Sequence, residues 1–180
     1  MKRTLFGLAA TAAVAMTLAG CAGSGTTGGG GGAKATATLS PKSGTNTGGT
    51  VTFTQQAGGV MMVASVTGLP PNTTHGFHVH EKGDCSAPDA MSAGGHFNPT
   101  SKPHGQMGMP DHHAGDMNNL TADANGNARA SILMPDLSVG SGPNSVVGRA
   151  VVVHKDPDDY KTQPTGNSGG RIACGVVAAS

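Results

Sequence analysis

The chain has 180 residues, with 11 Lys+Arg against 10 Asp+Glu and eight His, a formal charge of +1 with neutral imidazoles. That balance excludes a general binder of nucleic acid or acidic membrane surfaces. Thirty glycines, no tryptophan and five aromatic rings (four Phe, one Tyr) exclude a helical bundle and suit a β protein with many turns and long loops.

The chain opens Met1-Lys2-Arg3, then runs without a charge from Leu5 to Ala19 and ends this stretch in Leu18-Ala19-Gly20-Cys21. A basic start, a short apolar run and a small-residue cleavage site predict a secretory leader over residues 1–20, too short for a membrane span. The Leu-Ala-Gly-Cys ending resembles a bacterial lipoprotein signal, in which cleavage leaves Cys21 as a lipid-carrying N-terminus. The expected location is therefore the bacterial periplasm or cell envelope, lipid-anchored to a membrane. Without Lys2 and Arg3, Lys+Arg falls from 11 to nine against 10 Asp+Glu, a net charge of −1. The three cysteines are Cys21, Cys85 and Cys174. If Cys21 carries lipid, Cys85 and Cys174 remain as a pair in an oxidising compartment.

Residues 21–33 are the lipidated Cys and a Gly-rich linker, whose reach is roughly 20 Å. The folded domain is expected over 34–180. Ala35–Leu39 alternates Ala and Thr, and Thr50–Thr54 places Val51 and Phe53 on one face. Gly58-Gly59 predicts a hairpin into a strand over Val60–Val66. Further strands are expected near 75–81, 117–122, 128–134, 146–153 and 171–178, with a tight turn at Asn125-Gly126-Asn127. No sustained 3.6-residue apolar period appears. Eight strands between Gly/Pro/Asn turns predict an all-β sandwich or barrel.

Within Gly76-Phe77-His78-Val79-His80-Glu81, strand alternation puts His78 and His80 on one face and Val79 on the other. Two adjacent imidazoles on a rigid strand form a metal platform. Between Glu81 and Asn118 the strand pattern disappears, and a loop that long is functional or disordered. It carries Gly95-His96-Phe97-Asn98-Pro99, His104-Gly105 and His112-His113-Ala114-Gly115-Asp116. Three histidines and an aspartate suffice for a tetrahedral zinc site. His154 closes the apolar run Val151-Val152-Val153.

These motifs, with Gly169-Gly170-Arg171-Ile172-Ala173-Cys174-Gly175-Val176, resemble copper/zinc superoxide dismutases over about residues 34–178. Gly83-Asp84-Cys85-Ser86 and the short segment after His154 are most similar to the bacterial periplasmic branch. The resemblance implies an eight-stranded Greek-key β-barrel with long metal-binding loops. It implies copper held by His78, His80, His96 and His154, and zinc held by His96, His104, His113 and Asp116, with His96 shared. It further implies that Asp158 links a copper-side and a zinc-side histidine, that Cys85–Cys174 is a disulfide, and that Arg171 stands near the copper and receives the superoxide anion. His75 is implied to be structural. His113 is favoured over His112 by its spacing to Asp116, which leaves His112 facing solvent.

The implied activity is dismutation of superoxide to dioxygen and hydrogen peroxide, with His96 taking up and returning a proton. Lys82, Lys102, Lys155 and Lys161 are candidates for steering the anion. Met91, Met107, Met109 and Met117 give the ligand-bearing loop an unusual thioether content, read first as filler and second as an aid to copper acquisition. The complete ligand set and Arg171 favour the enzyme over a non-catalytic copper/zinc-binding lipoprotein of the same fold. The resemblance spans both monomers and homodimers.

Overall fold

Alternating apolar and polar residues build the first three strands. In a computed structural model describing Met1 and residues 32–180, β1 (Lys34–Pro41), β2 (Gly48–Gln56) and β3 (Gly59–Thr67) form an antiparallel meander. Ala35, Ala37, Val51, Phe53, Val60, Met62 and Val66 point inward and are fully buried, while the intervening Thr and Ser residues face outward, as a two-residue period requires. The remaining strands are β4 (Thr74–His75), β5 (Phe77–His80), β6 (Leu120–Thr121), β7 (Ala128–Met134), β8 (Ala150–His154) and β9 (Arg171–Ala179). Seven of them form one antiparallel sheet in the order β5-β8-β9-β1-β2-β3-β7, and β4 pairs with β6. The crossings from β3 toward β5 and from β7 to β8 give the Greek-key connection.

The all-β architecture is as expected, but the strand expected over 75–81 is two strands. It changes partners at Gly76: His75 pairs with Leu120, whereas Phe77 pairs with Val153. The strand expected over 117–122 shrinks to Leu120–Thr121, because the Asn119 N–H donates to the Tyr160 hydroxyl (2.8 Å) rather than to a ladder. The strand expected from 146 starts at Ala150, since Arg149 N–H closes a turn onto the Val146 carbonyl (3.1 Å). The turn at Asn125–Asn127 is present, with Asp123 Oδ1 accepting from both backbone N–H groups.

Phe53, Phe77, Met62, Val79, Met117 and Leu120 centre the main core. Burying each such side chain contributes about 1.5–3 kcal/mol. A smaller cluster joins Ala90, Ala93, Ala150, Val152 and Cys174, packing the segment after β5 against β8 and β9. The Cys85–Cys174 disulfide fastens that segment across 89 residues of chain. The expected leader, Cys21 and most of the linker (residues 2–31) lie outside the described residues.

Candidate metal centre

The site begins at the edge of the sheet. Val79 turns its fully buried side chain into the core, and His78 and His80 share the opposite face of β5. Val79 N–H donates to the Gly115 carbonyl (2.9 Å) and Val79 carbonyl accepts from Phe97 N–H (2.8 Å). The long loop thus borrows the open edge of β5 as a template. This registers His96 opposite His80 and Asp116 opposite His78. On the other side of β5, β8 delivers His154 from its last position.

Two clusters result. One ligand atom from each of His78, His80, His96 and His154 lies within 4.8 Å of the others, and the same holds for His96, His104, His113 and Asp116. All seven residues are buried. His96 belongs to both clusters. Its Nδ1 faces Asp116 Oδ1 at 2.8 Å, and its ring stacks on that of His78 with centroids 3.9 Å apart.

The ring nitrogens divide into anchored and free. His78 Nε2 pairs with Asp158 Oδ2 (2.8 Å), His104 Nε2 with Asp158 Oδ1 (3.0 Å), and His80 Nδ1 donates to the Gly94 carbonyl (3.0 Å). The opposite atoms of the first and of the shared ring, His78 Nδ1 and His96 Nε2, are buried without a hydrogen-bond partner, while His104 Nδ1 and His113 Nδ1 converge on the Asp116 carboxylate at 3.0 and 3.3 Å. Orphaned buried nitrogens are expensive, and here they converge. His80 Nε2 and His154 Nε2 approach to 3.2 Å. Four imidazoles suit copper, and three imidazoles with a carboxylate suit zinc. The residues present therefore fit both metals.

Burial holds His78 below the ordinary imidazole range, His80 and His154 well below it, and His96 at about 4, with neighbouring imidazoles adding to the effect. His104 differs. Burial alone would lower it, but hydrogen bonds to Asp116 and Asp158 outweigh that and raise it to about 9. For Asp116 burial would raise the carboxyl, yet His104, His113 and His96 hold it far below the usual carboxylate range. Its Oδ2 also accepts from the backbone N–H groups of His113 (2.8 Å) and Gly105 (3.1 Å).

Arg171, nine-tenths buried, donates from Nη1 to the Ala90 carbonyl (2.7 Å) and from Nη2 to the Gly94 carbonyl (2.6 Å). With His154, Asp89, Met91 and Thr165 it lines a cavity of about 340 Å³. The disulfide-fastened segment thus sets the guanidinium at the mouth of the four-histidine cluster. Of the methionines, Met117 is core, Met107 packs partly buried against it, and Met91 and Met109 are exposed. Lys102 Nζ donates to the Pro110 carbonyl (3.1 Å) and so ties the loop to itself. His75 is structural in placement, with Nδ1 donating to the His154 carbonyl (2.9 Å) and Nε2 against Thr73 Oγ1 (2.6 Å).

His112 is outside both clusters, but it does not face solvent as expected. It is buried, with Nδ1 donating to the Met109 carbonyl (2.7 Å) and Nε2 3.0 Å from Asp136 Oδ2. Other supporting residues carry no motif. Gln163 brackets His104, accepting its N–H (2.8 Å) and donating to its carbonyl (2.9 Å). Asn119 brackets Asp158 in the same way, at 2.9 Å on each side. Gly166 is glycine by necessity, since a Cβ there would stand 1.7 Å from Asp158 Oδ1. Gln163 and Gly166 share one signal open to sequence reading, their place shortly after His154; Asn119 has none.

The family described as copper/zinc superoxide dismutase (SODC) matches residues 47–177. "Superoxide dismutase [Cu-Zn] 2" of Aquifex aeolicus (strain VF5) is 46% identical over 123 residues, covering 66% of this chain and 72% of that protein. Among solved structures, the clock protein EA4 superposes with a TM-score of 0.74 at 42% identity, covering 84% of this chain and 97% of the other. A SOD-like protein from Bacillus subtilis superposes with a TM-score of 0.71 at 38% identity, covering 78% and 95%. With its two clusters hinged on His96 and its matched length, this chain belongs to the copper/zinc superoxide dismutase family.

Proposed function

We propose that the protein dismutes superoxide, two O2•− and two protons giving O2 and H2O2, at a copper/zinc centre. The observation that carries the reading is the shared ring of His96 beside a buried arginine at the cavity mouth. His78, His80, His96 and His154 would hold copper, and His96, His104, His113 and Asp116 would hold zinc. Copper would supply one-electron redox chemistry, and zinc a fixed positive charge that does not change oxidation state.

The chain's own residues supply the rest. Arg171 carries a permanent cation and draws the small anion into the cavity. The Ala90 and Gly94 carbonyls keep its fork from swinging away. Asp158 fixes the orientation of His78 and His104 together, as carboxylates behind metal-binding histidines commonly do. His96 Nε2, which faces the four-histidine cluster without a protein partner, is the atom at which a proton is held and then passed to the reduced product.

The test is to load the full chain with copper and zinc and follow metal content and superoxide decay. One copper and one zinc per chain with fast, copper-dependent decay supports the enzyme. Tight binding of both metals without decay supports the second reading, a metal-binding protein without catalysis, which the solved structure named only "SOD-like" keeps in view.

The setting is proposed from the leader alone: export, lipid on Cys21 and attachment to an envelope membrane. Mass spectrometry of membrane-extracted protein should find a lipidated N-terminal Cys21, and Cys21→Ser should release the protein into the soluble fraction. A Cys21 found unmodified in exported protein overturns the anchor.

A further inference from the structure

His112 is unused by the metal centre, yet it is buried and fully engaged. Its neighbour His113 is a candidate zinc ligand. Its ring reaches back to the Met109 carbonyl and across to the carboxylate of Asp136, which follows β7. The rest of the segment from Pro99 to Asp111 is held by Asn98 bracketing Lys102, by Lys102 on the Pro110 carbonyl, by Gln163 and Asp158 at His104, by Asp116 at Gly105 and by Met107 against the core; none of these hydrogen bonds reaches β7 or the turn after it. A buried ring between two fixed acceptors fixes the chain that carries it, and His113 is the next residue along that chain.

We propose that His112 is a positioning residue for the zinc cluster: clamped between the Met109 carbonyl and Asp136, it fastens the ligand-bearing loop to the barrel and sets the stance of His113 and Asp116. The inference rests on the reading that His96, His104, His113 and Asp116 hold zinc. The clamp acts mainly on one cluster, since three of the four histidines of the other, His78, His80 and His154, are carried by β5 and β8 and not by the loop.

The test uses the full chain and the variants His112→Gln, Asp136→Asn and their double. Zinc affinity is measured by chelator competition. The cobalt(II) absorption spectrum reports geometry at the zinc position, and copper affinity is measured at saturating zinc. Asp136 is half-exposed, so Asp136→Asn leaves the fold in place. Each single variant should lose roughly tenfold in zinc affinity, at the lower end for residues supporting metal ligands, and shift the cobalt bands. The double should lose no more than either single, and copper affinity should hold. Unchanged zinc affinity, additive losses or an equal loss of copper overturns the clamp. A wild-type chain that shows no zinc-competed cobalt spectrum overturns the zinc reading beneath it, a distinct result.

Discussion

The two halves of the centre are built from different materials. Three of the four copper-side histidines stand on strands β5 and β8, whose residues are all buried. The zinc-side residues come from a loop with no strand of its own between His80 and Leu120. The copper half therefore takes its geometry from the sheet. The zinc half takes it from loans: the open edge of β5, the Gln163 bracket, the His112–Asp136 clamp and, once bound, the ion itself. The electrostatics divide the same way. Burial keeps the copper-side imidazoles neutral and ready for metal, whereas two carboxylates make His104 hold its proton.

The sharpest way to break this division is at the residue both halves share. His96→Ala should reduce superoxide decay by roughly hundredfold or more, the scale of a lost proton-transfer group, and disturb both metals in a stoichiometry assay. Two normally bound metals in that variant would contradict the shared role. Next is the covalent fastening of the copper side. Cys85→Ser with Cys174→Ser should lower unfolding stability by about 2–5 kcal/mol in a urea titration, and decay should fall as the Arg171 acceptors loosen.

Proton competition separates the halves without mutation. His104 sits at about 9, so zinc must displace its proton below that pH. Zinc affinity of the metal-free chain should rise about tenfold per pH unit from 7 to 9 and then level. Copper affinity should be nearly flat there, because His96 sits at about 4. For stability the signs oppose. The contribution of His104 is full below its unfolded value near 6.5 and lost as pH rises through 9. That of His96 is full above 6.5 and lost as pH falls through 4. Parallel pH slopes for the two metals would erase the contrast. The smallest effect is expected at Gln163→Ala, a few-fold loss of zinc affinity for two part-buried hydrogen bonds, with copper binding unchanged.

Legibility in the sequence follows the same line. His78, Val79 and His80 were readable because a strand has a two-residue period, and Val79 is buried as that period demands. The loop residues could be grouped by composition, but their division into ligands and supports rested on family motifs. The burial of His112 is not legible in the sequence, because its partner, Asp136, lies 24 residues away and a lone aspartate in a turn carries no pattern. The roles of Gln163 and Asn119 carry no sequence signal, because side-chain brackets on a distant backbone leave no periodic trace. The break at Gly76 came from a change of strand partner, which a single strand's alternation does not encode.

The carbonyl of Gly94 accepts from both His80 Nδ1 and Arg171 Nη2. Gly94 has φ 72°, and a Cβ there would stand 2.4 Å from Glu81 Oε1. One oxygen atom thus couples a ring of the four-histidine cluster to the guanidinium at its mouth. A shift of the Gly94 peptide therefore moves the His80 ring and one arm of the Arg171 fork together, so a change made at either is felt at the other.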